Sequence, residues 1–308
     1  MSRMIRAICK NAGIKAIAID AGDIVERARV IHSCEPLACA ALGRTLIAAS
    51  MLGAELKSED ASLTLQIKGG GPLGTITAVS DSFGNVRGYL QDPSVELPLK
   101  GPGKLDVGTG VGTNGQLTVI KDLGMREPFI GSVKLVSGEI AEDVTMYLAE
   151  SEQIPSVCAL GVLVDTDKTV WYAGGFIVSL LPDATDEDIA IIEDNLTKIP
   201  SVTTMLHDGL SLEEILGEVL YGLRVEFLEE SFPEYRCNCS DERVSRALIS
   251  MGVRELTSLM QEQEQLEVTC QFCDKIYRFG PTELQALLDE ATSHAAQDFL
   301  KKIQKEEK

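Results

Sequence analysis

Four cysteines near the C-terminal end constrain the fold of this chain more than any other feature. One residue separates Cys237 from Cys239, two separate Cys270 from Cys273, and thirty residues lie between the pairs. Two close pairs of thiolates can converge on one tetrahedral zinc ion. The spacing therefore predicts a zinc site with these four residues as ligands. Four thiolates close the coordination sphere, which disfavours catalysis by the metal.

The zinc site is predicted to organise a small C-terminal domain, residues 235–308. Apolar patterning predicts helices over 241–251 and 253–261, broken at Gly252, and a hairpin over 266–279 that carries the second cysteine pair at its tip. A further helix begins at Pro281. A segment of this size cannot bury a large core, so metal binding is expected to supply much of its stability.

Residues 1–181 are predicted to form an α+β domain with a mixed sheet. The longest helical pattern covers residues 36–57, is rich in small residues and begins at Pro36. In the strand pattern 62–68, Leu63, Leu65 and Ile67 alternate with polar residues. Other strands are predicted at 14–20, 74–79, 85–91, 116–121, 131–136, 156–164 and 169–178, with a helix at 139–150.

Residues 182–234 are predicted to be an acidic helical linker. Between Asp183 and Glu234 there are fourteen acidic residues against two basic ones, Lys198 and Arg224. A helix is predicted over 186–196, and Ser211 with Glu214 forms a capping box for the next one. These helices are short and mutually repulsive, so they need a partner surface to persist. The linker is therefore the natural candidate for reversible unfolding.

Several function classes are disfavoured by the sequence. The net charge of −19 argues against binding to nucleic acid. The glycines of 110–115 match a dinucleotide loop by letter, but a strand pattern rather than a helix follows them, so no nucleotide is expected. No nucleophile motif accompanies the scattered histidines, and we expect no enzyme activity. Arg44 interrupts the most apolar stretch and no secretory signal opens the chain, which predicts a cytosolic protein without a membrane span.

The four paired cysteines allow two interpretations. They can be a purely structural zinc site, or zinc-guarded thiolates that oxidise reversibly, in which case metal loss would unfold the domain. A disulfide across the one-residue gap closes a small ring and should be readily reduced. The remaining cysteines are expected to be buried bystanders; they are Cys9, Cys34, Cys39 and Cys158. A zinc ribbon that binds protein or nucleic acid, or a thiol oxidoreductase, would be alternatives.

The cysteine pattern resembles that of the 33 kDa chaperonins, the redox-regulated heat-shock protein 33 family. Stretches similar to that family also occur at 41–57, 67–74, 111–129 and 173–182. The resemblance implies an ATP-independent holdase that is inactive when reduced and zinc-bound. It implies that oxidation pairs Cys237 with Cys239 and Cys270 with Cys273, releases zinc, unfolds the linker and exposes a surface for unfolded client proteins. It further implies a homodimer on activation.

Overall fold

The computed structural model describes residues 1–262 and 265–306, with side chains as far as residue 293. The chain divides into two compact units, Met1–Arg236 and Cys237–Lys308. We call them unit 1 and unit 2 and describe each by itself. The predicted linker belongs to unit 1 in this division, while its separate role remains a prediction.

Unit 1 contains ten strands and seven helices among its described residues. In chain order they are β1 (Arg3–Cys9), β2 (Ile14–Asp20), α1 (Gly22–His32), α2 (Pro36–Ala54), β3 (Ser62–Lys68), β4 (Thr75–Asp81), β5 (Val86–Leu90), α3 (Val107–Val111), β6 (Gln116–Asp122), β7 (Phe129–Lys134), α4 (Ala141–Glu150), β8 (Ser156–Val164), β9 (Val170–Leu180), α5 (Asp186–Lys198), α6 (Val202–His207), α7 (Leu212–Val219) and β10 (Glu226–Ser231).

The strands of unit 1 form two five-stranded sheets. The first has the order β10-β1-β2-β9-β8 and the second β5-β4-β3-β6-β7. All neighbouring strands in both sheets are antiparallel. The α+β class is confirmed, but the prediction of one mixed sheet is wrong. Short loops join β1 to β2, β3 to β4 and β8 to β9, and they can only return the chain antiparallel, since a parallel pair needs a long crossover.

Helix α2 forms the centre of the unit 1 core. Its residues are almost all buried, and it packs with the inner faces of both sheets in one hydrophobic cluster. By length and hydropathy α2 could cross a membrane, but 94% of its apolar window is buried inside the protein. Small residues let neighbouring elements approach its backbone: a Cβ on Gly43 would lie 2.7 Å from a methyl of Val25 on α1 and 2.9 Å from a methyl of Val162 on β8. The helix is therefore a core helix of unit 1.

The first sheet is apolar on both faces. On β2, Ile17 and Ile19 point to the inner core, whereas Ile14, Ala16 and Ala18 point outward, as the two-residue period of a strand requires. The outward residues join a second cluster with the helices that follow β9. We call this second cluster, which also includes Ile5, Phe176, Ile192 and Leu216, the outer cluster. It supplies the partner surface that the short acidic helices need.

The segment 182–234 contains α5, α6, α7 and β10. Side chains of Thr185, Ser201 and Ser211 cap the three helices, which confirms the predicted capping box at Ser211. Three apolar residues of this segment, Ile192, Leu216 and Leu220, are buried in the outer cluster, while Ile189 is half-buried and Phe227 is exposed. Strand β10 was not predicted. It pairs with the edge of β1.

The glycine-rich stretch 110–115 is structural. Residues 112–115 connect α3 to β6, the strand predicted to follow the glycines. Gly112 has φ +79°, and a Cβ there would lie 2.5 Å from the carbonyl oxygen of Gly69. Glycine is needed because two loops meet backbone to backbone.

Unit 2 is small and follows the predicted order of elements. It contains α8 (Asp241–Met251), α9 (Val253–Glu262), β11 (Leu266–Thr269), β12 (Ile276–Phe279) and α10 (Pro281–Glu306). β11 and β12 form the predicted antiparallel hairpin. The core of unit 2 is one cluster that includes Leu248, Leu256, Tyr277, Phe279 and Leu284. It is much smaller than the core of unit 1.

Candidate metal centre

The four predicted ligands come together in unit 2. Cys237 and Cys239 lie in the extended segment before α8, where the Ser240 side chain caps the helix by accepting the N–H of Arg243 at 3.2 Å. Cys270 and Cys273 lie in the turn between β11 and β12. The cap and the hairpin thus fix the ends of both cysteine-bearing segments.

The hairpin turn holds the second pair in a defined conformation. The N–H of Cys270 donates to the carbonyl of Lys275 at 2.9 Å, and the N–H of Asp274 donates to the carbonyl of Cys270 at 2.8 Å. Asp274 has φ +55°, in the left-handed region where Asp and Asn are tolerated. The turn brings both thiols to the same end of the hairpin.

The sulfur positions fit a tetrahedral metal ion. All four Sγ atoms lie within 4.8 Å of one another. The Sγ atoms of Cys237 and Cys270 are 3.7 Å apart, and those of Cys239 and Cys273 are 3.4 Å apart. Zinc–sulfur bonds of about 2.3 Å in a tetrahedron place the sulfurs roughly 3.8 Å apart. Among the described residues, this is the one group of three or more cysteine, histidine or acidic side chains close enough to share a metal.

Backbone amides further stabilise negative charge on the sulfurs. The N–H of Cys239 donates to the sulfur of Cys237, and the N–H of Lys275 donates to that of Cys273. Both bonds lower the pKa of the accepting thiol. Burial, together with hydrogen bonds to neighbouring thiols, outweighs them and raises the pKa of Cys237 and of Cys273. A bound cation would oppose this effect and favour the thiolate form of these two sulfurs.

Tyr277 is a site residue that sequence reasoning missed. Its ring lies in the unit 2 core, and its hydroxyl is buried without a hydrogen-bond partner of ordinary geometry. Burial of Cys239 opposes its ionisation, but Tyr277 and the three other thiols outweigh burial and lower the pKa of Cys239 to about 7. The alternation in β12 could have signalled that residue 277 points inward, but not that its hydroxyl approaches a sulfur.

The other four cysteines are buried in unit 1, as expected for bystanders. Burial raises the pKa of the Cys34 thiol to about 12 and also raises the pKa values of Cys9, Cys39 and Cys158. Thiols in this state are poor nucleophiles and poor metal ligands. Reactive sulfur chemistry is therefore concentrated in unit 2.

Comparisons with known proteins agree with the cysteine pattern. A family model described as Hsp33 protein matches residues 2–280. A 33 kDa chaperonin of Clostridioides difficile (strain 630) is 49% identical over 287 residues, covering 93% of this chain and 98% of the relative. One from Clostridium perfringens (strain 13 / Type A) is 45% identical over 306 residues, covering 99% and 96%.

A solved structure extends the agreement to the fold. The crystal structure of the 33 kDa chaperonin (heat shock protein 33 homologue) from Thermotoga maritima matches with a TM-score of 0.83 at 37% identity, covering 94% of this chain and 99% of that one. These relatives are named as chaperonins and not as enzymes. The resemblance read from the cysteines is confirmed across nearly the whole chain, and this chain belongs to the Hsp33 family of chaperonins.

Proposed function

We propose that this protein is a redox-regulated, ATP-independent holdase of the cytoplasm that binds unfolding proteins under oxidative stress. One observation carries the proposal: four half-buried cysteines with sulfurs within 4.8 Å of one another sit in a unit with a small core. In the resting state Cys237, Cys239, Cys270 and Cys273 would bind zinc. The bound ion supplies positive charge that keeps the four sulfurs as thiolates.

Oxidation of the cysteines is the proposed trigger. A thiolate attacks hydrogen peroxide and breaks its O–O bond; the sulfur becomes a sulfenic acid, and the hydroxide that leaves takes up a proton to give water. A second thiol of the site then attacks that sulfur, displaces water and forms a disulfide. Each disulfide therefore consumes two thiols and one peroxide and yields two waters. Two such reactions leave the site without thiolate ligands.

The disulfide pairing follows the family resemblance: Cys237 with Cys239, and Cys270 with Cys273. The contacts at 3.7 and 3.4 Å join residues of different pairs, so Cys237 with Cys270 and Cys239 with Cys273 are the competing products. Proteolysis of the oxidised protein without reduction, followed by mass spectrometry, distinguishes the two outcomes.

Loss of the metal site would unfold unit 2, because metal binding free energy is folding free energy in a domain of this size. Unit 2 begins one residue after Arg236, whose N–H donates to Val86 of β5 at 2.9 Å. Unfolding of unit 2 would therefore disorder the chain directly after Arg236, the residue that hydrogen-bonds to β5. We propose that the segment 182–234 then detaches and uncovers the outer cluster for client proteins, with homodimer formation as a later step.

The outer cluster suits this role. Its sheet residues, among them Ile5, Ile14, Phe176 and Val178, are apolar although they face away from the main core. Uncovering this face would create a contiguous apolar surface, which is the kind of surface that binds other proteins. The segment above it carries a local net charge of −12, which would keep client complexes soluble.

The test uses one preparation of the full chain. Metal content and suppression of client aggregation are measured before and after peroxide treatment at mildly elevated temperature. We expect about one zinc per chain and little suppression before oxidation, and zinc loss with strong suppression after it. Zinc retained after oxidation, or equal suppression in both states, would contradict the switch.

A variant tests whether loss of a metal ligand is enough to loosen the segment 182–234, without any oxidation of thiols. Cys270→Ser removes one ligand and should weaken zinc binding and speed hydrogen exchange after residue 182. Cys158→Ala, in the core of unit 1, is the matched control and should leave metal content unchanged. Unchanged exchange in Cys270→Ser would show that the metal site does not control the segment.

A further inference from the structure

Strand β10 is attached to unit 1 differently from the helices that precede it. Five of its six residues are exposed, including Phe227 and Leu228. In α7, by contrast, Leu212, Ile215, Leu216 and Val219 are all buried in the outer cluster. Hydrophobic burial therefore holds α7 in place but contributes little to holding β10.

Backbone pairing and surface ion pairs hold β10 instead. It runs antiparallel to β1, with an irregularity between Ile5 and Ala7. Arg3 binds Glu230 at 2.7 Å and Lys10 binds Glu226 at 2.8 Å. Exposed pairs of this kind contribute little stability and are screened by salt. The strand is therefore among the weakly held elements of the first sheet.

Strand β1 does not depend on β10. It pairs with β2 along its whole length, from Arg3 with Asp20 to Cys9 with Ile14. Its side chains Met4, Ile5, Ala7 and Cys9 are buried on the two faces of the sheet. If β10 left, β1 would remain and present an unpaired row of backbone N–H and C=O groups.

We propose that β10 occupies a binding site for client proteins. When β10 leaves, the free edge of β1 binds an extended segment of an unfolding client, antiparallel to β1 and with client carboxylates facing Arg3 and Lys10. The proposal rests on the proposed function, because in the unaltered chain the edge opens when the segment 182–234 is released. In this proposal, clients bind to two surfaces of unit 1: the apolar face of the outer cluster and the backbone edge of β1.

The contacts that β10 makes with β1 indicate which client segments the edge can bind. Addition of a strand to a sheet edge uses main-chain hydrogen bonds, so the partner's sequence can vary, as a holdase requires. Exposed Phe227 and Leu228 show that apolar side chains are accommodated beside the edge. Glu226 and Glu230 show where negative charge is matched, by Lys10 and Arg3. An unfolded segment with mixed apolar and acidic residues fits these conditions.

A peptide with the sequence of residues 224–233, labelled with a fluorophore, is the probe. We expect it to bind the peroxide-treated full chain and not the reduced chain, as measured by fluorescence anisotropy. A peptide in which Glu226→Lys and Glu230→Lys are combined should bind about tenfold more weakly, since two attractive pairs become repulsive. Equal binding of the two peptides would contradict the pairing of client carboxylates with Arg3 and Lys10.

Hydrogen exchange locates the binding. In the oxidised protein the β1 amides that face β10 should lose protection, and an unfolded client or the peptide should restore it. If oxidised protein that suppresses aggregation keeps those amides protected without a client, the proposal is wrong. If protection instead returns with rising protein concentration alone, a second copy of the chain occupies the edge, and the client assignment is overturned.

A variant tests the edge without oxidation. Glu226→Lys with Glu230→Lys in the full chain should loosen β10 in the reduced protein, raise β1 exchange and permit peptide binding. The control, Glu193→Lys with Glu218→Lys, makes the same charge change at exposed positions of the same segment away from β10. If exchange rises in the test variant and the peptide still does not bind, the edge is not a docking site. This outcome is independent of whether the redox switch operates.

Discussion

The eight cysteines of this chain divide equally between two environments, and the contrast explains what each group can do. In unit 1, Cys9, Cys34, Cys39 and Cys158 are buried in the two apolar clusters, and burial raises the pKa of each thiol. In unit 2, the other four are half-buried and converge at the ends of a cap and a hairpin. Clustering with partial exposure, rather than residue type, makes a thiol reactive.

The units also differ in what stabilises them. Unit 1 buries two hydrophobic clusters, one on each face of its first sheet. Unit 2 has one small cluster, and two of the four proposed ligands, Cys239 and Cys270, are half-buried against it. A chemical event at the cysteines therefore reaches the core of unit 2 directly, whereas the two hydrophobic clusters of unit 1 contain none of these four cysteines.

Chelation should produce the largest difference between the units. With zinc removed under reducing conditions, we expect unit 2 to unfold and its four cysteines to be alkylated roughly a hundredfold or more faster than those of unit 1. Mass spectrometry of the labelled cysteines measures the contrast. Comparable labelling of Cys34 or Cys158 at early times would mean that the two units unfold together.

Loss of burial in the outer cluster should be the next largest effect. Leu216 is fully buried, so Leu216→Ala is expected to destabilise the packing of α7 by about 2–5 kcal/mol. Leu228 is 48% exposed, and Leu228→Ala should change stability by less than about 0.5 kcal/mol. Hydrogen exchange of α7 and aggregation suppression by the reduced protein measure both. Equal effects would show that α7 is not held by burial.

A change beside the metal site should have a smaller effect. Tyr277→Phe keeps the ring in the unit 2 core and removes the hydroxyl that lowers the pKa of Cys239. Because outer groups around metal ligands typically contribute 10–100-fold in affinity, we expect zinc affinity to fall about tenfold. Competition with a chelating dye measures it, and Tyr172→Phe in unit 1 is the control. Unchanged affinity would remove Tyr277 from the site.

The smallest effect concerns a surface pair in unit 1. Arg3 hydrogen-bonds Glu213 of α7 and lowers the pKa of that carboxyl below its ordinary value. The pair therefore stabilises α7 at pH above about 4.5 and ceases to do so as the pH falls through the lowered pKa. Glu213→Gln should cost less than about 1 kcal/mol at pH 7 and nothing at low pH. Hydrogen exchange of the α7 amides in the variant and in the unaltered chain, at pH 7 and at low pH, tests this. If the two proteins differ equally at both pH values, packing rather than the ion pair causes the difference.

Local patterns predicted much of the fold. The strands at 14–20, 62–68 and 156–164 have the predicted bounds, because alternation or a continuous apolar run marks them without tertiary information. The capping box at Ser211 and the break at Gly252 were equally local. Five elements were missed: β1, α1, α3, α6 and β10. β10 in particular has a sequence, EFLEES, whose exposed residues carry no burial pattern, and only the edge of β1 makes it a strand.

The sequence by itself determined which cysteines stand in close pairs, and so which four are proposed as ligands, and it determined the resemblance to the Hsp33 family that the comparisons confirm. Tertiary structure decided the rest. It set the sulfurs at separations that fit one metal ion, placed a buried tyrosine hydroxyl beside Cys239, and folded the acidic segment over a second apolar face of the first sheet. These features depend on contacts between residues distant in the chain, which spacing and periodicity do not encode.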